Sequence, residues 1–328
     1  MLVGSPLQGA IARHYAELPG FLPHASTFVK LEGLTVTGSI KHRTALSMLD
    51  ALESAGRIGP GSELIESTSG NLGVALASIC AARGYRITLV TDPNANVQSV
   101  RYMRALGAEI VIVDTRDGYD GYLHNRIAYI QRRLAESPTL VWPNQYASTA
   151  NIEAHRLGTG AEIVAEFGRP DWLFVSVGSS GTLMGLVAHM REIGAATEVI
   201  GVDVVGSIVF GGAAGPRRLP GAGASRRPEI FTDDGSFRKI TVPEAEAVRM
   251  CRRVARRHGL LLGGSSGLVL AAASALSSSI APGSTVLVVS PDMGERYLET
   301  VYDNSWVSRN FGPDLLDNEA PEGFSAHD

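Results

Sequence analysis

The chain has 328 residues, 45% hydrophobic and 19% charged, enough to bury one large or two ordinary cores in a globular protein. Its 29 basic and 33 acidic residues give a net charge of −4 with no long basic run, which argues against nucleic acid as a partner. Cys80 and Cys251 lie far apart with no CxxC or Cys/His companion, so they read as buried thiols, and no metal is expected. Neither a leader pattern nor an apolar run of membrane-spanning length is legible, and a cytoplasmic enzyme is the expected class.

Along the chain, short β-rich runs alternate with stretches of helical period. Predicted strands cover Phe28–Glu32, Glu63–Glu66, Arg86–Thr91, Glu109–Val113, Trp172–Val177, Glu198–Asp203 and Ser284–Ser290. Predicted helices cover Ser39–Ala55, Gly70–Arg83, Val97–Leu106, Gly121–Ala135 and Thr182–Ile193. In the first helix Ile40, Leu46, Leu49 and Leu52 fall near one face. Such alternation implies an α/β fold with parallel sheets covered on both faces. Two domains are expected, a smaller one over 36–148 and a larger one over 1–35 and 149–306. Gly206–Arg227 is too rich in Gly and Pro for regular structure and reads as an ordered loop near a site, while 307–328 reads as a polar tail.

Three patterns carry candidate chemistry. Lys41 follows a glycine turn in TGSIKHR and opens a helix, where the macrodipole disfavours a cation and lowers an amine's pKa. An exposed helix-start lysine is the plain alternative. The turn ESTSGNLG (66–73) offers free backbone N–H groups with the Thr68 and Ser69 hydroxyls, the makings of a carboxylate pocket, or simply an N-cap with small residues. The turn GSSGT (178–182), again between strand and helix, is built to surround a phosphate. Two other motifs compete. Gly178 to Gly185 with Asp203 has the look of a dinucleotide site, but its spacing is not GxGxxG. GGSSG (263–267) matches a hydrolase elbow, yet the only later histidine is His327, in the polar end.

Together the stretches GSIKHR, STSGNLG, NQYAS, GSSGTLMG, LPGAGAS, GLLLGGSSG and SPDMGERYLET make the chain resemble the cysteine synthase family of pyridoxal-phosphate (PLP) enzymes, of fold type II, like the tryptophan synthase β subunit. The resemblance runs from about residue 3 to residue 306. It implies a homodimer with PLP in an interdomain cleft, carried by Lys41 as catalytic base. Asn71 would contact the cofactor's phenolic oxygen, Gly178, Ser179, Ser180, Gly181 and Thr182 its phosphate, and Ser265 its pyridine nitrogen. Thr68, Ser69, Gly70, Asn71 and Gln145 would bind the substrate carboxylate. A neutral serine at the pyridine nitrogen would leave it largely unprotonated and favour β-elimination, giving β-replacement through an α-aminoacrylate.

Where sulfide-using members usually read KDR, TSGNTG, QF and GTGGT, this chain has Lys41-His42-Arg43, Leu72 in the carboxylate loop, Gln145-Tyr146 and Ser179-Ser180. These departures resemble the branch that makes N-(2-amino-2-carboxyethyl)-L-glutamate from O-phospho-L-serine and L-glutamate, for 2,3-diaminopropionate and siderophore synthesis. That likeness adds Arg126, Tyr146 and Ser179 as substrate-site residues, with Arg217 and Arg218 as outsiders. A cysteine synthase using O-acetylserine or O-phosphoserine with sulfide, and a catalytically inactive PLP-binding regulatory protein, stand as alternatives.

Overall fold

The β-branched runs do form strands, and their two-residue alternation decides which face each side chain joins. A computed structural model describes residues 14–68, 70–117 and 121–317. In chain order its strands are β1 (Tyr15–Glu17), β2 (Ser26–Leu31), β3 (Glu63–Ser67), β4 (Arg86–Thr91), β5 (Glu109–Ile112), β6 (Trp172–Ser176), β7 (Glu198–Val204), β8 (Arg238–Val242) and β9 (Thr285–Ser290). They build a six-stranded sheet, ordered β1-β2-β9-β6-β7-β8, and a three-stranded sheet, β3-β4-β5. Every pairing is parallel except β1 with β2. β1 and β8, short and half exposed, were not among the predicted strands.

The helices are α1 (Lys41–Ser54), α2 (Asn71–Arg83), α3 (Val97–Ala105), α4 (Leu123–Glu136), α5 (Ala150–Glu153), α6 (Gly181–Glu192), α7 (Glu244–His258), α8 (Gly264–Ala275), α9 (Asn304–Phe311) and α10 (Asp314–Asp317). Beyond α5 the chain stays helical through widened π turns at Ala154–Gly160 and Ile163–Phe167. No helix among the described residues is long and apolar enough to cross a membrane.

β6 shows how the larger sheet is clad. Trp172 and Phe174 face a core shared with α7 and α8, whereas Leu173 and Val175 face one shared with α6. Burial on both faces is what parallel strands joined by helical crossovers require. α8 is apolar all round and lies inside the molecule, every residue from Gly264 to Ala273 being buried. The small sheet has its own core, in which Leu64 and Leu89 meet Met48 and Leu49 of α1 and Leu76 and Ile79 of α2. Both cysteines are buried free thiols.

The polar tail starts later than residue 307. Val307 is 0% and Leu315 3% exposed, Trp306 and Phe311 stack edge to face at 5.6 Å, and Asp303 caps α9 by accepting the Trp306 amide at 2.6 Å. Apolar residues at helical spacing thus hold 304–316 on the core. Residues 318–328, His327 included, lie outside the described residues.

One buried charge cluster joins the two parts. Arg43, in the first turn of α1, donates from Nε to Glu32 at 2.7 Å and from Nη2 to Glu162 at 2.6 Å. Lys30 Nζ completes it, 3.3 Å from Glu32 and 3.2 Å from Glu162. Two cations and two anions cancel, and removing one strands its partners in a low-dielectric interior. Arg43→Met should therefore cost about 3–5 kcal/mol, read as a lower midpoint in urea at unchanged m-value.

Candidate active site

The three functional turns all leave the carboxyl ends of parallel strands, where α/β folds open a crevice. One cavity results. Lys41, Thr68, Gly70, Asn71, Arg126, Gln145, Tyr146, Gly178, Ser179 and Ser265, drawn from both sheets, line it together. Ser180, Gly181 and Thr182 form the turn behind Ser179, and Ser69 lies outside the described residues. Among the described residues no histidine lines the cavity beside Ser265, and His327 lies outside them.

Lys41 is the first residue of α1, reached through Gly38 at φ +73°, a left-handed turn that favours glycine. The first turn of α1 holds no acidic residue, and burial brings the Lys41 amine from the ordinary lysine range down to about 8. Its Nζ lies 3.2 Å from Ser179 Oγ. A lysine amine that is substantially neutral near pH 8 is a competent nucleophile and base.

The turn after β3 is tied by Thr68, whose Oγ1 accepts the amides of Gly70 at 3.2 Å and Gly73 at 3.0 Å. That ties the hydroxyl into the helix start. Asn71 Nδ2 donates to Asp292 at 2.7 Å, and Asn71 Oδ1 accepts from Arg296. Gln145 Nε2 donates to the Ser67 carbonyl at 3.3 Å. Leu72 is buried at 3% exposure, so the residue that departs from the sulfide-using pattern serves the small core.

Ser180, at the N-terminus of α6, has φ +70°, a strained value for a residue with a side chain. Its buried Oγ has no partner among the described residues. An orphaned hydroxyl on a left-handed turn at a helix N-terminus is the signature of an anion cradle. Ser265, on the first turn of α8, is 3% exposed and reaches the same cavity.

Arg126 sits on α4 at 7% exposure, with Nη1 3.3 Å from Asp92. That contact is within ion-pair range but off the hydrogen-bond line, and Nε and Nη1 make no hydrogen bond among the described residues. Tyr146 lies under the Arg226 guanidinium, 5.6 Å from the ring centroid. Burial, countered in part by the Arg126 charge, raises its phenol. Arg217 and Arg218 are engaged elsewhere: Arg217 with the Gly206 carbonyl at 2.6 Å and Arg218 with Asn310 at 2.8 Å. Their loop still matters, because Pro220, Gly221 and Gly223 wall the cavity.

Several site residues escaped the sequence reading. Asp292, Arg296 and Tyr297 fall in the quoted stretch SPDMGERYLET but received no role, and Tyr297 donates to Asp292. Asn151 and His155, both fully buried, lie beneath the 178–182 turn. Glu66 accepts from Trp142 Nε1 at 2.8 Å and the Ser67 amide at 2.9 Å.

A family model for pyridoxal-phosphate dependent enzymes matches residues 13–292. The chain belongs to that family. Members of it use PLP as an electron sink, and in this one Lys41, Gly178, Ser179 and Ser265 line one cavity. This PLP enzyme is 41% identical over 286 residues to N-(2-amino-2-carboxyethyl)-L-glutamate synthase of Ralstonia nicotianae, covering 87% of this chain and 85% of that one. It is also 41% identical over 289 residues to the synthase of the same name from Cupriavidus metallidurans, with the same coverage. Among solved structures it superposes on O-ureido-L-serine synthase with a TM-score of 0.85 and 30% identity, covering 94% of this chain and 100% of that one. It superposes on the O-acetylserine dependent cystathionine β-synthase of Helicobacter pylori with a TM-score of 0.83 and 28% identity, covering 92% and 98%.

Two outcomes follow. In the cofactor-free protein the rate of Lys41 acylation should rise with pH to a midpoint near 8, whereas a surface lysine rises toward about 10.4. Peptide mapping after labelling at pH 8 checks it, and Lys30, fully buried among charges, should stay unlabelled. Burial also pushes the Glu66 carboxyl from 4.5 up to about 7. The native state then binds this proton more tightly than the unfolded chain, so stability falls as pH rises from about 4.5 to about 7. Glu66→Gln should remove that slope, on the order of 3 kcal/mol, in urea titrations across the window.

Proposed function

We propose that this enzyme replaces the phosphate of O-phospho-L-serine with the amine of L-glutamate, forming N-(2-amino-2-carboxyethyl)-L-glutamate for 2,3-diaminopropionate synthesis. The observation that carries the substrate class is Arg126. It is a buried guanidinium lining the same cavity as Lys41, with Nε and Nη1 making no hydrogen bond among the described residues and Nη1 in an off-line ion pair with Asp92. A phosphate leaving group and an amino-acid acceptor both bring anionic oxygens for such a fork, whereas sulfide brings none. The two synthases that match at 41% identity support the same reading.

In this reading Lys41 would hold the cofactor, which would supply the electron sink, and its amine would take the proton from the substrate's α-carbon. The amides of Gly178, Ser179, Ser180, Gly181 and Thr182, with the Ser180 and Thr182 hydroxyls, hold the cofactor's phosphate. Ser265 would meet its ring nitrogen, and Asn71 its phenolic oxygen. The turn of Thr68, Ser69, Gly70 and Asn71, with Gln145, binds the substrate carboxylate. Tyr146 and Ser179 flank the leaving group beside Arg126. The smaller domain would span 36–148, the larger 1–35 and 149–316, and the enzyme would act as a homodimer in the cytoplasm.

Holoenzyme mixed with O-phospho-L-serine and L-glutamate should release phosphate and yield the carbon–nitrogen-linked product by mass. Arg126→Ala should lower turnover about ten- to a hundredfold while the cofactor's absorbance stays in place. Preference for O-acetylserine and sulfide, with glutamate ignored, would move the assignment to cysteine synthase.

A further inference from the structure

Beneath the cavity runs a buried chain of polar side chains whose hydrogen-bond directions are fixed. Asn151, 0% exposed, places Nδ2 2.9 Å from the Gln145 carbonyl and 3.1 Å from Ser179 Oγ. A carbonyl only accepts, so the amide cannot be flipped, and both its protons are committed. Its Oδ1 accepts from Thr44 Oγ1 at 3.1 Å. Thr44 therefore accepts from His155 Nε2, 3.1 Å away and also 3.3 Å from Thr182 Oγ1, and His155 Nδ1 accepts from Thr159 Oγ1 at 3.0 Å. That tautomer is assigned from its partners. Burial, with the Lys41 and Arg43 charges, holds His155 well below the usual histidine range, in keeping with a neutral ring. Gly181 leaves room for this arrangement, since a Cβ there would stand 2.1 Å from Asn151 Oδ1.

The consequence falls on Ser179. Its Oγ accepts from Asn151 on the buried side and, while the Lys41 amine is protonated, from Nζ at 3.2 Å. A hydroxyl has two acceptor sites and one proton, so the proton is left to point into the cavity that Ser179 lines. We propose that Asn151 is a positioning residue that fixes the Ser179 hydroxyl as a donor into the cleft, toward the oxygen that leaves the substrate's β-carbon. Thr44 and Gln145 hold Asn151 in that role. The inference rests on the β-replacement reading and narrows it: the leaving group is one that accepts a hydrogen bond through an oxygen gaining negative charge as the carbon–oxygen bond breaks.

Asn151→Asp keeps the shape and reverses one partner, presenting an acceptor to Ser179 and drawing its proton out of the cleft. With O-phospho-L-serine this variant should lose about ten- to a hundredfold in kcat, with KM nearly unchanged, the scale of one hydrogen bond to a charged group. Ser179→Ala should lose a similar factor, and the double variant no more than Ser179→Ala alone. A second readout needs no turnover. In cofactor-free protein the pH midpoint of Lys41 acylation should rise in Asn151→Asp by about one unit, and by less than half of that when Ser179 is Ala. Equal losses or equal shifts in both backgrounds would overturn the relay through Ser179, as would wild-type kcat in Asn151→Asp. If Asn151→Asp does not fold, Thr44→Val must show the same dependence on Ser179. Should wild type release no phosphate from O-phospho-L-serine but use O-acetyl-L-serine, the substrate reading fails, and the same cycle run on acetate release decides the inference.

Discussion

The seat of the lysine-bearing helix is a buried ion cluster, and most of the active-site geometry depends on it. The body of α1 packs with the small sheet, yet Arg43 in its first turn is bound to Glu32, just after β2, and to Glu162, before the last π turn. Hydrophobic packing alone is non-directional and would leave the helix start free to rotate or slide. Two carboxylates gripping one planar guanidinium fix its position and its rotation. Lys41, two residues earlier, inherits that precision. The cluster's cost is the desolvation of four charges, and its use is register, not net stability.

A fixed lysine still needs its charge lowered, and the fold does this without a partner carboxylate. Burial lowers the amine, the α1 macrodipole acts in the same direction, and no acidic residue in the first turn opposes either. Glu32 and Glu162, the carboxylates bound to the start of α1, are neutralised by Arg43 and Lys30. The ion cluster thus serves twice: it anchors the helix and withholds its carboxylates from Lys41. The same logic sets the anion turns, where amides at the starts of α2 and α6 supply partial positive charge without a titratable group.

Much of this was legible in the sequence. β4 falls on its predicted limits, and the other predicted strands and helices agree to within a few residues, because strand–helix alternation with glycine turns is strong local code. The three motifs that suggested a site do converge on one cavity. What stayed hidden has physical reasons. α8 is apolar on every side and so shows no period, while β1 spans three residues. α7 carries acidic residues in its first turn and basic ones in its last, a legible helix pattern that went unread. Asn151, His155 and Thr159 recur every four residues, a true helical stripe, but a polar one buried by widened π turns. Hydropathy patterning looks for apolar stripes and passes over it.

That polar stripe and Arg126 answer different parts of one problem. The cofactor and the substrate carboxylate are both anions that backbone amides can hold, so neither requires a guanidinium. Each other arginine at or near the cleft is committed: Arg296 to Asn71 and the Thr37 carbonyl, Arg217 to its own loop, Arg43 to the ion cluster. Arg126 alone of these has, among the described residues, one off-line carboxylate contact and two nitrogens without a hydrogen bond. A buried cation left in that condition is costly unless a ligand completes it. An anionic oxygen beyond the cofactor phosphate and the α-carboxylate would complete it, and the proposed phosphoserine and amino-acid substrates would each bring one where sulfide would not.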